Sequence, residues 1–367
     1  MSMSSPTFVA VGDVMLGDSA ICVGFGFRSR CESGDRLADL FQQIRSRLVA
    51  DLVIGNLETP LSTSATSATS RGRRQMRGLP SYARVLADSG FTHLSVANNH
   101  ALQHGAAAFE ETRSHLVDAG IRPLGVRGFD GWCCAPVRES RRGHSIGLLA
   151  YCRRPRQYGA GDPPFAEGSV DEICADVERL AREVQHVVVS MHWGEEFVQV
   201  PSRAEVELGR MILDAGATLL LGHHPHVARP VELTADSRVI AYSLGNFASD
   251  MLWQKALREG LLLRGTLTVD GIADLQVESL IIDHNYAPRP HHTGSVCSPQ
   301  TVDECALDDA DYIRAVAGGL AAQRRAAYAY ALRNVLHFSP TVLAELVTTT
   351  LRNKLSGVAD IARAARS

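Results

Sequence analysis

Lysine is almost missing from this chain. Of its 37 basic residues only Lys255 and Lys354 are lysines; the skew most simply reflects a GC-rich genome, with arginine-mediated anion binding as a second reading. The net charge of -3 argues against a broad electrostatic surface for nucleic acid. No apolar run approaches the roughly 20 residues that span a bilayer. The opening MSMSSPTFVAVGDVML has neither a basic n-region nor a long apolar h-region, so neither a membrane anchor nor a secretory signal is expected, and the expected location is cytoplasmic. The 8 cysteines contain no C-x-x-C pair; this argues against a zinc knuckle or a disulfide frame and predicts reduced thiols.

What remains is a globular composition, 45% hydrophobic and 21% charged over 367 residues, enough for one large domain with an appendage or for two ordinary domains. Short apolar, β-branched runs at 8–11, 52–54, 93–96, 146–150, 187–191 and 219–221 predict strands. Helical spacing falls between them at 82–89, 106–119, 171–184 and 203–215, with Gly90, Gly120 and Gly216 placed to stop three of these helices. Such alternation predicts an α/β fold with helices packed on a largely parallel or mixed sheet. After Pro230, runs at 231–233, 238–242, 261–269 and 275–282 follow without long helices and predict antiparallel ribbons that complete the sheet. Residues 61–75 are Ser/Thr-rich and then basic, which predicts a flexible surface loop, or an anion-binding flap as the minority reading. From about Asp308 the chain is rich in Ala, Leu and Arg, predicting helices broken near Ser339-Pro340.

The polar residues gather at the strand ends. They are Asp13 after the first, Asn56 and Glu58 after the second, Asn98-Asn99-His100 after the third, His192 and Glu195 after the fifth, and His223-His224-Pro225-His226 after the sixth. Each alone has a plain explanation: Asp13 can cap a turn, Asn98 and Asn99 can occupy positive φ, and His192 can be a satisfied core histidine. Together they point to one crevice, because strand ends of an open α/β sheet converge at one edge. Carboxylates that bridge ions, with imidazoles and amide oxygens completing the shells, suit a pair of divalent ions that polarise an ester and generate hydroxide. His100, beside Asn99, is the candidate proton donor to a leaving group.

The stretches VGDVMLG, DLVIGNLETPLS, GFTHLSVANNHALQHG, SMHWGEEF, LGHHPHVARPVEL and AYSLGNFASD, in that order over residues 7 to 250, resemble the CapA family. That family is named for bacterial poly-γ-glutamate capsule synthesis and belongs to the calcineurin-like metallophosphoesterase superfamily. The resemblance implies a four-layer α/β sandwich of mixed sheets flanked by helices over residues 1–300, with residues 301–367 as a helical C-terminal extension. It implies metal ligation by Asp13, Glu58, Asn99, His192, His224 and His226, and an acid or orienting role for His100. Asn56 and Asn98 are expected just outside the ligands, and His223 as an outer or structural residue. Glu195 and Glu196 are expected to hold the His192 ring or contact substrate. Arg77 lies where the family has a similar Arg able to bind carboxylate or phosphate, a surface arginine being the other reading. The sequence also departs from the pattern. Met15 stands at the third position of the superfamily's Asp-x-His, Thr59 where a phosphodiesterase branch offers an Asn ligand, and Gln103 and His104 where an Asp and an aromatic are usual. These departures bear on the second ion and the chemistry rather than on the fold.

Two functions are expected from this reading. One is a hydrolase with two divalent ions (manganese, iron or zinc) acting on a phosphoester or an amide of γ-glutamyl type, its substrate a small molecule or derived from an amino acid or peptide. The other is a cytoplasmic accessory, acyl-transfer or amide-forming protein of polyglutamate or natural-product biosynthesis with a structural or degenerate metal site. In either case the C-terminal helices could join copies of the chain into a homo-oligomer or dock a partner biosynthetic enzyme. Nucleic acid is not expected as a partner.

Overall fold

In the computed structural model, which describes residues 5–32, 35–67, 69–345 and 348, the chain builds two mixed sheets in sequence order. It starts with four parallel strands, β1 (Thr7–Val14), β2 (Leu52–Leu57), β3 (His93–Ser95) and β4 (Arg122–Leu124). It then crosses to a six-stranded sheet made by β5 (Val137–Arg141), β6 (His144–Cys152), β7 (His186–His192), β8 (Leu219–His223), β9 (Val231–Leu233) and β10 (Val239–Ala241), in the order β5-β6-β7-β8-β10-β9. The chain finally returns to the first sheet. There β11 (Asn246–Ala248) pairs parallel with the end of β1, and β12 (Glu259–Thr268), β13 (Gly271–Ile282) and β14 (Pro288–Thr293) add an antiparallel ribbon on its other side.

Strand alternation sorts the apolar residues into layers. Phe8 and Ala10 of β1, Leu52 and Ile54 of β2, Ile146 and Leu148 of β6, and Leu219 and Leu221 of β8 form one cluster where the two sheets face each other. The alternate residues point outward. Val9, Val11 and Val53 meet Phe41, Leu86 and Phe109 on one side, while Leu149, Val187, Val189 and Leu220 meet Ile173, Val177, Val206 and Ile212 on the other. Three core clusters between four layers give the α/β/β/α sandwich expected from the sequence. The helices after β6 and β7 (Val170–Ala181 and Arg203–Asp214) each start at a reciprocal capping box, Ser169 with Glu172 and Ser202 with Glu205.

Several details differ from the sequence reading. β4, β5, β11 and β14 give no pattern signal, because three of them are short or carry prolines and all four lie at a sheet margin or strand end. β10 pairs parallel with β8 as well as antiparallel with β9, so it extends the main sheet instead of belonging only to a ribbon. Within 61–75, Ser70–Arg74 is helical, capped by the Thr69 side chain. The C-terminal helix runs Asp309–Arg333 and helix resumes at Pro340, so the break falls near Ser339-Pro340 as expected; residues 346–347 and 349–367 of the expected helical extension lie outside the described residues. No helix among the described residues is long and apolar enough to cross a membrane.

Candidate metal centre

The ends of β1, β2, β7 and β8 and the turn after β3 meet at one edge of the sandwich. β1 changes partner there: its register with β2 shifts between Ala10 and Asp13, and Asp13 stands opposite Asn56 on one side and Asn246 of β11 on the other. Gly12 makes that possible, since a Cβ at this position would lie 2.0 Å from the Gly245 carbonyl oxygen. The backbone N–H of Asp13 donates to the same carbonyl at 2.8 Å. After β8 the chain turns through His224 and His226 with φ of 96° and 59°. Non-glycine residues held at positive φ mark a turn that its surroundings over-determine. Asn98 and Asn99 do not share that geometry. Instead Asn98 Oδ1 accepts the N–H of His100 at 3.1 Å, and its Nδ2 donates to the Leu57 carbonyl at 2.9 Å, which ties the third turn to the second strand.

Asp13, Glu58, Asn99, His192, His224 and His226 are all buried and come together. Ligand atoms of Asp13, Glu58 and His192 lie within 4.8 Å of one another, and so do those of Glu58, His224 and His226. Glu58 is common to both sets. Its Oε1 lies 3.8 Å from His192 Nε2 and 3.7 Å from His226 Nε2. His226 Nδ1 is 3.3 Å from Asp13 Oδ2, and His192 Nε2 is 2.9 Å from Asn99 Oδ1. Ligands bound at 2.0–2.2 Å stand roughly 2.8–3.6 Å apart along an octahedral or tetrahedral edge; the 2.9 and 3.3 Å separations fall in that range and the two of Glu58 exceed it by only a few tenths of an ångström. A second observation agrees. Both carboxylate oxygens of Glu58 and both ring nitrogens of His224 are buried without a hydrogen-bond partner, a condition that costs about 1–3 kcal/mol for each such group and that coordination to a cation would relieve.

The electrostatics fit the same picture. Burial by itself would raise the Asp13 carboxyl, but hydrogen bonds and charge from His223 and His226 hold it well below the carboxylate range. Burial pushes Glu58 well above its ordinary value. His192 and His224 are driven well down, chiefly by burial and then by neighbouring cations. His226 is pushed up to about 10: burial opposes its cation, and Glu58 and Asp13 more than offset that. Clustered groups with opposed shifts are usual at functional sites.

Around this cluster, Asn56 Nδ2 donates to Asp13 Oδ1 at 2.8 Å and lies 3.4 Å from His192 Nδ1. His223 Nδ1 is 3.3 Å from Asp13 Oδ1. His100 presents Nε2 toward Glu58 at 3.9 Å, while its Nδ1 is 2.7 Å from Gln103 Oε1. Burial pushes the His100 imidazole down to about 4 against that hydrogen bond. Two expected contacts are made elsewhere. Glu195 forms a bidentate pair with Arg154 at 2.6 and 2.9 Å in place of holding the His192 ring. The Arg77 guanidinium donates to the carbonyls of Ser62, Thr63 and Arg73, so it locks the loop before it rather than facing a ligand. Met15 packs with Met76, Val227 and Met251, the Thr59 hydroxyl accepts the Leu16 N–H at 2.8 Å, and His104 Nε2 meets the Gln75 carbonyl at 2.8 Å.

Sequence reading passed over two residues at the site. Asn246 Oδ1 lies 3.1 Å from His226 Nδ1, on a strand too short to show a period. Arg154 follows β6, the one expected early strand whose end was given no polar role, and its charge adds to the forces that depress His224.

The model of the bacterial capsule synthesis protein PGA_cap family matches residues 7–251. The chain belongs to that family. Among its relatives, the PGA biosynthesis protein CapA of Bacillus subtilis is 25% identical over 81% of this chain and 77% of its own length. The capsule biosynthesis protein CapA of Bacillus anthracis is 27% identical over 77% of this chain and 69% of its own length. Among solved structures, a phosphatase from Mycoplasma pneumoniae aligns with 76% of this chain and 94% of its own at 12% identity and a TM-score of 0.46. The PGA_cap match covers every residue of the buried cluster, from Asp13 to Asn246.

Proposed function

We propose that the protein is a divalent-metal hydrolase whose centre is held by Asp13, Glu58, Asn99, His192, His224 and His226, with Glu58 shared between two ions. The observation that carries this reading is Glu58 itself: a fully buried carboxylate, without a hydrogen bond, common to both potential ligand sets. The mixed O and N donors suit manganese, iron or zinc. When bound, such ions polarise the scissile bond and lower the pKa of a coordinated water. The residues of the chain supply the rest. Asn56 orients Asp13 and also lies against the His192 ring, His223 packs beside Asp13, and His100 stands at the rim to hand a proton to the leaving group. Burial keeps the free His100 imidazole neutral, and a negatively charged substrate beside it would favour the cation needed for that transfer. The bond cleaved is a phosphoester or an amide of γ-glutamyl type, the two classes that water activated at such a centre would hydrolyse.

The second reading, an accessory or amide-forming protein of polymer biosynthesis, is favoured by two observations. Both CapA relatives are named for biosynthesis, and Met15 fills with thioether a position where the superfamily pattern has a histidine. Elemental analysis of the full chain after supplementation with manganese, iron or zinc, beside a His224→Ala/His226→Ala variant, separates the readings. About two equivalents of metal, lost in the variant, with turnover of a phosphodiester or γ-glutamyl substrate, supports the hydrolase. Metal without turnover of either class supports the accessory reading, and no bound metal removes the centre altogether.

A further inference from the structure

The cleft that opens onto His100 and His226 is closed on one side by the C-terminal helix Asp309–Arg333, which contributes Gln323 to its lining. That helix is fastened along its length. Leu307, just ahead of it, exchanges backbone hydrogen bonds with Pro201 and Arg203 at 3.1 and 2.9 Å. The Tyr312 hydroxyl accepts from the Glu195 N–H and from Arg229, both at 3.1 Å. Near its far end Tyr330 packs on Trp253 and Phe25, with ring centroids 5.9 and 6.2 Å apart.

The cleft measures about 190 Å³, room for roughly six water-sized groups at about 30 Å³ each, and so it takes only one end of a substrate. Its walls are Met15, Met76, Met251, Phe197 and Trp253; His100 and His226 line the end that faces the centre, and no Lys or Arg lines it among the described residues. The Glu196 carboxylate is there instead and opposes an anion. Gln75 and Gln323 line the same space. The Trp253 indole N–H is buried with no hydrogen-bond partner. Thioether and aromatic walls with an unclaimed indole donor, beside two glutamines and the Glu196 carboxylate, match a neutral group that hydrogen-bonds better than a second carboxylate or phosphate.

We propose that this cleft is a subsite for a small uncharged, hydrogen-bonding moiety of the substrate, such as a carboxamide, and that Gln323 of the C-terminal helix is a specificity-determining residue there. The assignment rests on the metal-hydrolase reading, because the bond to be cleaved must lie at the adjoining centre.

The test uses two hydroxamates that differ in one group. Both anchor on metal through the hydroxamate; one ends in a carboxamide (succinamic hydroxamate) and the other in a carboxylate (succinic monohydroxamate). Binding to the manganese-loaded full chain is followed by calorimetry, and metal content is measured in the same sample. The carboxamide is expected to bind about tenfold tighter, the equivalent of one well-made hydrogen bond. Gln323→Ala is expected to narrow that preference to about twofold while leaving metal content and the affinity for acetohydroxamate unchanged, which also reports that the variant is folded. Equal or tighter binding of the carboxylate, an unchanged ratio in Gln323→Ala, or binding of neither compound to the loaded protein would overturn the assignment and leave the metal centre standing. A wild-type chain that retains none of manganese, iron or zinc would bring down the hydrolase reading and the subsite together.

Discussion

Nδ1 of His100 lies 2.7 Å from Oε1 of Gln103, and this one contact sets which ring nitrogen faces the centre. An amide oxygen accepts the Nδ1–H and leaves Nε2 directed at Glu58, 3.9 Å away. Gln103 is neutral, so the tautomer is held here without a negative charge. Gln103→Glu is therefore expected to raise the His100 pKa from about 4, because a carboxylate favours the imidazolium. The imidazole titration read by NMR checks the direction. Gln103→Ala is expected to keep metal content and lower turnover by about tenfold to a hundredfold, the usual cost of removing an orienting partner. A His100 titration that does not move in Gln103→Glu would mean that the amide contact does not govern the ring.

Glu58 gives the second prediction. A buried carboxylate without hydrogen bonds destabilises the metal-free chain, and a ligand that binds only the folded state stabilises it by RT ln(1 + [L]/Kd), about 2.7 kcal/mol at a hundred times Kd. Added manganese or zinc should raise the unfolding midpoint and EDTA should lower it again. Glu58→Gln should raise the midpoint of the metal-free protein and abolish the response to metal. Calorimetric scans of the two proteins with and without metal decide it, and a Glu58→Gln chain that still gains the full shift would remove Glu58 from the ligand set.

The sandwich and the gathering of the site were legible because both rest on short-range signals. Alternating apolar residues at 8–11, 52–54 and 219–221 fix which face each strand buries; parallel strands then place Asp13 and Glu58 at the end of one sheet and His192 and His224 at the end of the other, and the packing of the two sheets joins them. The role of Asn246 was not legible, since three residues of β11 carry no period. Nor was the destination of Arg77, whose carbonyl partners at 62, 63 and 73 are set by loop conformation. The placement of the C-terminal helix over the cleft depends on Tyr312 meeting Glu195 and Arg229 across more than eighty residues, which no local pattern encodes.

Neighbouring glycines in that helix make opposite predictions. A Cβ on Gly318 would meet nothing within 4 Å, whereas one on Gly319 would stand 3.0 Å from the Phe197 carbonyl oxygen. Gly318→Ala should therefore stabilise the chain by about 0.5–1 kcal/mol through helix propensity alone. Gly319→Leu should cost about 1–3 kcal/mol, because a bulky side chain forces the helix off the Phe197 loop. Urea midpoints for the two variants test this. Equal and opposite effects are not required, but a stabilised Gly319→Leu chain would mean that the helix does not sit on Phe197.

Asp250 supplies the pH dependence. It is buried with Asp18, and its Oδ2 accepts the N–H groups of Ser19 and Phe27 at 2.9 and 3.2 Å, which anchors the loop leading into helix Phe27–Cys31. Burial first, then the Asp18 charge, pushes its carboxyl from the ordinary aspartate value of about 4 up to about 7. The native state thus holds a proton that the unfolded chain releases between those two values, so this residue makes stability fall as pH rises from about 4 to about 7 and level off above. Asp250→Asn keeps an oxygen acceptor for Ser19 and Phe27 and removes the ionisation. The difference in unfolding free energy between Asp250→Asn and wild type is therefore expected to shift in favour of the variant as pH rises through that window, and to be flat above about 8. Carboxylates other than the neighbouring Asp18 titrate alike in both proteins and cancel in the difference. A difference that stays constant from pH 4 to 8 would mean that Asp250 ionises at its ordinary value, and that the Asp18–Asp250 contact does not couple the loop beside the cleft to pH.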